Sequence, residues 1–324
     1  MSDSSLNRRR THQPTLPWRL LGFSISLSLV LASPVRAQDL DPRAYVQAPV
    51  NATFLVWGLG LSHGGVVSDP TAPVTDIQAT VTTPSIGVGR SFGLFGATAQ
   101  GFAALPFSWA DVSGQALGEA RSTYRAGLSD MRLRLSVLVR GAPASDVLQL
   151  AKAPRRTIIG TSLTVVAPTG EFYPDKLINL GTNRWSFKPE VAVSQPVGER
   201  WQLDAYAGVW FFTDNDSFYP GTFLKSQAPI GAFQSHLSYN FGRQLWAAFD
   251  VTYYVGGRTT LEGVAGSDLQ SNARAGGTFV FPVGRRHSVK LAVSRGAIVR
   301  HGANFTSYSF GWQTGWAPRP RSVP

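Results

Sequence analysis

Residues 184–194 read Arg184-Trp185-Ser186-Phe187-Lys188-Pro189-Glu190-Val191-Ala192-Val193-Ser194. Trp185, Phe187, Val191 and Val193 share one parity with Pro189, while Arg184, Ser186, Lys188, Glu190, Ala192 and Ser194 share the other. A period of two sends successive side chains to opposite faces of a strand, so this segment has one greasy face and one charged face. The same alternation places Leu245, Ala247, Phe249, Val251, Tyr253 and Val255 opposite Trp246, Ala248, Asp250, Thr252 and Tyr254. It also places Met131, Leu133, Leu135 and Val137 opposite Asp130, Arg132, Arg134 and Ser136.

Twelve such segments follow one another, near 52–64, 79–91, 95–107, 123–139, 156–167, 184–196, 200–213, 231–241, 244–256, 270–282, 287–296 and 305–316. Their connections alternate: 65–78, 108–122, 168–183, 214–230 and 257–269 are long, whereas 92–94, 197–199, 242–243 and 283–286 are short. An even number of strands with long loops at one end and tight turns at the other is the pattern of bacterial outer-membrane barrels, whose tight turns lie in the periplasm. Segment 140–155 departs from it, a long connection where a short turn belongs, with room for a short helix. The expected fold is all-β, a transmembrane antiparallel β-barrel of about 12 strands.

Composition agrees. Charged residues make up 15% of the 324, while Gly and Pro together number 54, which suits many strands joined by turns. There is no cysteine, which removes thiol catalysis, disulfides and cysteine-ligated metal sites. The net charge is +11, yet the basic residues are scattered singly along the strands and form no nucleic-acid motif, so no nucleic-acid partner is expected. Residues 1–37 have their own pattern: Arg8, Arg9, Arg10 and Arg19, then the 13-residue apolar run 20–32, then Val35-Arg36-Ala37. Basic, apolar and small-residue regions in that order predict a cleavable signal peptide, and the run falls short of the about 20 residues that a spanning helix needs. The expected division is signal peptide 1–37, barrel 38–316 and C-terminal tail 317–324.

A soluble β-sandwich also alternates, but it buries its apolar face and requires neither a leader nor this strand count. Trp185, Trp201, Trp210, Phe211, Trp246, Phe279, Phe281, Trp312 and Trp316 lie near segment ends, where the aromatic girdles of a membrane barrel sit. The last segment carries Tyr308, Phe310, Trp312, Thr314 and Trp316 on one parity. It resembles the aromatic-rich closing strand by which the barrel assembly machinery recognises its substrates, except that residues 317–324 follow it.

The stretch Asn179-Leu180-Gly181-Thr182-Asn183-Arg184-Trp185-Ser186-Phe187-Lys188-Pro189-Glu190 resembles the outer-membrane family named after the meta-pathway of phenol degradation. So do Pro42-Arg43-Ala44-Tyr45, Pro168-Thr169-Gly170, Trp210-Phe211-Phe212-Thr213-Asp214-Asn215, His236-Leu237-Ser238-Tyr239, Gly256-Gly257-Arg258-Thr259 and Ser294-Arg295-Gly296. The resemblance spans about residues 42–316. It implies a barrel pore for uptake of hydrophobic or aromatic compounds, and it brings no settled set of binding residues.

Catalytic candidates are few. His236 and Ser238 have the spacing of an outer-membrane phospholipase pair, but Leu237, Tyr239 and Phe241 define the greasy face, leaving His236 and Ser238 turned away from lipid. Asp214-Asn215-Asp216 lacks the remaining spacing of a calcium loop. Gly58-x-Gly60 and Gly87-x-Gly89 sit inside strands with no helix after them, so they signal close backbone packing rather than a phosphate loop. The expectation is no enzyme, no metal and no cofactor.

If the greasy faces meet lipid, the lumen receives Asp130, Arg132, Arg134, Arg184, Lys188, Glu190, Asp204, His236, Asp250, Arg274 and Lys290. Six are cationic and four anionic, with His236 able to be either charged or neutral. Two readings follow: a polar conduit with a mild preference for anionic solutes such as aromatic acids, or an ion network that fills and stiffens a narrow barrel, since an unpaired buried charge is costly. The functional alternatives are accordingly a passive pore, or a closed barrel serving structure or adhesion through its loops. The expected partners are outer-membrane lipid and lipopolysaccharide, the assembly machinery, and a small-molecule solute.

Overall fold

A computed structural model describes residues 40–67, 74–116, 118–242 and 244–317. The expected signal peptide 1–37 and most of the expected tail 317–324 lie outside the described residues. Seventeen strands and one short helix follow in order: β1 (Thr53–Val67), β2 (Val74–Leu94), β3 (Ala97–Ala116), β4 (Glu119–Leu128), β5 (Met131–Pro143), α1 (Val147–Lys152), β6 (Ile158–Ala167), β7 (Ser186–Val197), β8 (Trp201–Phe212), β9 (Asn215–Phe218), β10 (Phe223–Gln227), β11 (Ile230–Gly242), β12 (Leu245–Gly256), β13 (Thr259–Leu261), β14 (Val264–Ala265), β15 (Gln270–Val283), β16 (His287–Ile298) and β17 (Gly302–Trp316).

Thirteen of the strands form one antiparallel sheet that closes when β17 pairs with β1 and β2 with β3. β4 and β5 share one place in the wall. β3 pairs with β5 over residues 97–104 and with β4 over 107–116, the chain kinking between them at Ser129 and Asp130. The wall is therefore a closed transmembrane antiparallel barrel of twelve strand positions. Closure is what permits such a wall in lipid, because the strands around the ring satisfy one another's backbone N–H and C=O groups; β4, paired with β3 alone, extends from it. Among the described residues no helix is long and apolar enough to cross a membrane; the strands do the crossing.

The two faces are inverted relative to a soluble protein. Outside stand Trp57, Val191, Phe249 and Tyr308, each more than half exposed. Inside, Asp204, His236 and Asp250 are fully buried. The aromatics split accordingly. Trp185, Trp201, Phe211, Phe279 and Trp316 face outward near strand ends, whereas Trp210 and Trp246 are buried in the lumen, so for those two the expected girdle placement is corrected. Their parity with Asp204 on β8 and Asp250 on β12, rather than their nearness to a strand end, decides the side.

Several strands outrun their apolar stretches. Segment 108–122, expected as a loop, continues as the β3–β4 hairpin, and β2 begins at Val74 rather than near 79. Beyond the hydrocarbon layer both faces of a strand can be polar, so pairing continues where the hydrophobic alternation has ended. At the other end Phe95 and Gly96, both with positive φ, make the tight turn between β2 and β3. The irregular connection 144–157 does hold a helix, α1, whose N-cap Asp146 and Gln149 form a reciprocal capping box. At the long-loop end, β9, β10, β13 and β14 build a separate four-stranded sheet from the connections 213–229 and 257–269. Gly89 shows the close packing expected of the intrastrand glycines: a Cβ there would lie 1.8 Å from the Phe54 ring.

Candidate functional site: a lumen closed by its own N-terminal segment

Residues 40–52 precede the first strand and have no regular structure, yet Asp41, Arg43, Ala44, Tyr45, Ala48 and Ala52 are all buried. This segment lies inside the barrel. It is tied at the short-turn end by Ala52 N–H to Ser91 Oγ (3.0 Å), Asn51 N–H to Ser91 O (2.9 Å) and Val50 N–H to Ser145 O (2.9 Å). Deeper in, Gln100 Nε2 donates to Val46 O (2.9 Å) and Ala44 N–H to the Tyr206 hydroxyl (3.1 Å). Such bonds satisfy the polar backbone of a strand-less segment that is largely buried.

Asp41, Arg43, Tyr45 and Gln47 all engage the wall, Gln47 by donating from Nε2 to Pro143 O (2.6 Å). Asp41 accepts from Lys290 Nζ (3.2 Å) and Arg134 Nη1 (3.5 Å). Arg43 lays its guanidinium 4.3 Å over the Trp246 ring. Tyr45 gives its hydroxyl proton to Glu190 Oε1 (2.9 Å), lies 2.8 Å from Ser162 Oγ, packs edge-on against Tyr206 (centroids 5.1 Å, 64°), and carries the Arg134 guanidinium 4.9 Å above its ring. Gly160 makes room, since a Cβ there would stand 2.4 Å from Tyr45 Cδ1.

The eleven inward residues named from the sequence are distributed around this segment, ten of them on the wall strands or at their ends and all facing inward. Glu190 is the hub: its oxygens accept from Lys188 Nζ (2.9 Å), Arg134 Nη2 (3.3 Å), Gln234 Nε2 (3.3 Å) and Tyr45. Lys188 also lies 5.4 Å from the Trp210 ring centre. His236 Nδ1 meets Asp250 Oδ1 at 2.8 Å, Thr278 donates to the other Asp250 oxygen at 2.7 Å, and Gln202 donates to Asp204 at 3.0 Å. Arg274 donates to Ser294 Oγ and Phe305 O, both at 3.0 Å. Arg184, nearer the long-loop end, bonds Gln227 (2.5 Å) and stacks on Phe212 (4.4 Å). Arg132 is buried on the same inner face.

Asp130 stands apart. It occupies the kink between β4 and β5 and accepts from Gly170 N–H (2.9 Å), Thr182 N–H (2.9 Å) and the Thr182 hydroxyl (2.6 Å). Its visible work is to pin the 168–185 loop over the barrel mouth. Asn215, within the expected polar loop 214–216, does similar work by bonding Asn183 and Thr182.

The interior therefore takes the form of an ion network with the N-terminal segment threaded through it. Pairing is what makes these buried charges tolerable, because breaking one pair leaves a charge uncompensated. Sequence reasoning missed Asp41, Arg43 and Tyr45, for which no periodicity exists, and Ser162, Tyr206 and Gln234, which are ordinary strand residues until the segment arrives. His236 and Ser238 are fully buried, and the Ser238 hydroxyl has no hydrogen-bond partner among the described residues, so the nucleophile–base contact of a hydrolase is not made.

A family model described as "Putative MetA-pathway of phenol degradation" matches residues 59–314. No curated protein sequence matches the chain. Among solved structures the chain is similar to an outer membrane channel from Pseudomonas putida F1, at TM-score 0.75 and 21% identity over 86% of this chain and 100% of that one. It is also similar to the β domain of the Bordetella autotransporter BrkA, at TM-score 0.51 and 10% identity over 82% and 100% of the two chains. The transport unit of the Escherichia coli autotransporter AIDA-I gives TM-score 0.50 and 11% identity over 86% and 93%. At these identities the likeness is one of fold.

Proposed function

The chain belongs to the MetA-pathway family of phenol degradation, and from that membership and its barrel we propose that it is an outer-membrane pore for passive uptake of small hydrophobic or aromatic compounds. One observation carries this reading. The wall is closed and apolar outside, while the obstruction inside is a strand-less segment held by side-chain contacts and a few backbone bonds at its short-turn end rather than by a sheet ladder, so the lumen can open without breaking the barrel. The similar Pseudomonas putida structure is described as an outer membrane channel, which supports the same use of the fold.

In this reading residues 1–37 are removed on export, leaving two residues ahead of Leu40 at the start of the luminal segment. The tight turns face the periplasm and the β9–β10–β13–β14 sheet faces outward. β17 presents the aromatic closing strand to the assembly machinery, and lipid and lipopolysaccharide surround the wall. The solute route passes Arg184 at the mouth and then Lys188, Glu190, Arg132, Arg134, Asp204, His236, Asp250, Arg274 and Lys290, with Asp130 holding the loop beside it. The filled lumen favours a second reading, a closed structural or adhesive barrel.

Flux separates the two. Purified protein in liposomes should admit phenol or benzoate faster than empty liposomes do. Equal rates, with folded protein present, would leave the closed barrel as the better account. Mass spectrometry of the mature protein should begin at Gln38; an intact Met1 contradicts the leader assignment.

A further inference from the structure

Tyr45 ends in a phenol, and the wall treats it as one. The hydroxyl is used twice: it donates to Glu190 (2.9 Å), so at the 2.8 Å contact the Ser162 hydroxyl must donate to it. The ring meets a guanidinium on its face, a tyrosine edge at its side, and bare backbone at Gly160 beneath. Leu138, Ala142 and Ala192 complete an apolar lining. These groups belong to β5, β6, β7 and β8, rigid parts of the wall, while the ring they hold comes from a segment with no strand of its own.

We propose that this seat is a binding site for phenolic solutes, occupied in the resting barrel by the chain's own tyrosine. The assignment rests on the pore reading and gives it a solute class. Glu190 keeps Lys188, Arg134 and Gln234 as partners when Tyr45 leaves, so emptying the seat exposes no uncompensated carboxylate. A free phenol finds the same acceptor, donor and cation that the tyrosine finds. An arene without the hydroxyl forms neither the bond to Glu190 nor the one from Ser162, and a site built around a hydroxyl rejects the analogue that lacks it. The tethered tyrosine competes at high effective concentration, so the seat is best revealed by removing the ring.

The experiment uses the full mature barrel in detergent micelles, p-cresol as the probe, and toluene as its partner without the hydroxyl. Tyr45→Ala leaves a ring-sized void in a stiff wall, and such cavities bind small aromatics. Titration calorimetry should show one equivalent of p-cresol bound, about tenfold or more tighter than toluene, with no comparable binding to wild type. Ser162→Ala in the Tyr45→Ala background should narrow that preference. The proposal is overturned if Tyr45→Ala binds p-cresol no better than wild type, or no better than toluene. Should Tyr45→Ala not fold, Tyr45→Phe keeps the ring without the hydroxyl. p-Cresol should then raise its conductance at a lower concentration than wild type needs, and equal concentrations overturn the proposal. Binding to Tyr45→Ala without any flux through liposomes would sink the pore reading and keep the site, whereas flux without such binding would sink the site alone.

Discussion

Glu190 and Val191 are neighbours in sequence and opposites in environment. Val191 stands 59% exposed on the outer wall, where any apolar side chain of similar size would serve, because lipid makes no directional demand. Glu190 is 3% exposed and holds four named partners from three wall strands and the luminal segment. The outer face is specified by class of residue and the inner face by individual residues. A membrane barrel thus carries its specificity where a soluble protein carries its core.

That contrast can be broken by substitution. The largest loss is expected from Glu190→Ala, which leaves Lys188 and Arg134 buried without their shared carboxylate; removing one partner of a buried pair costs about 3–5 kcal/mol. Urea titration of the refolded barrel measures it, and a stability equal to wild type would mean that the network does not hold the interior. Next comes Val191→Arg midway along β7, which should lower assembly yield, since a cation at the lipid-facing midplane costs about 2–4 kcal/mol. Val191→Leu should be silent, and a normally assembled Val191→Arg would reverse the assignment of faces.

Arg184→Glu should be smaller in stability and larger in selectivity. Arg184 sits near the mouth on Gln227 and Phe212, outside the Glu190 network, so the folded barrel should shift its reversal potential in a salt gradient toward cations. An unchanged potential in a conducting barrel would remove Arg184 from the route. From sequence Lys188 looks interchangeable with Arg184, two residues of the same parity and sign. In the structure Lys188 neutralises Glu190 at 2.9 Å, so Lys188→Glu should behave like Glu190→Ala and unsettle the fold. Tyr45→Phe alters no charge and loses two hydrogen bonds at about 1 kcal/mol each, visible as a lower temperature for release of the segment to added protease.

These differences mark what was legible in the chain. The wall was readable because alternation in 184–194, 244–256 and 131–137 is a local signal, and each strand's inward set followed from parity alone. The β3–β4 extension was not, because outside the hydrocarbon layer no apolar face records the pairing. Trp210 and Trp246 lie near strand ends, as girdle residues do, but their parity turns them inward. The N-terminal segment was hidden most completely. Tyr45 meets Ser162 and Glu190 across 117 and 145 residues of chain, and nothing in residues 40–52 repeats with a period that announces where they go. Short polar contacts at such separation exist only once the barrel has closed.

If the barrel is a pore, residues of the N-terminal segment, and not the wall, close it. Single-channel recording of the barrel with residues 40–48 deleted and the leader retained tests it most directly. The expected result is a folded barrel whose conductance is several-fold above wild type. A folded deletion variant with wild-type conductance would contradict it.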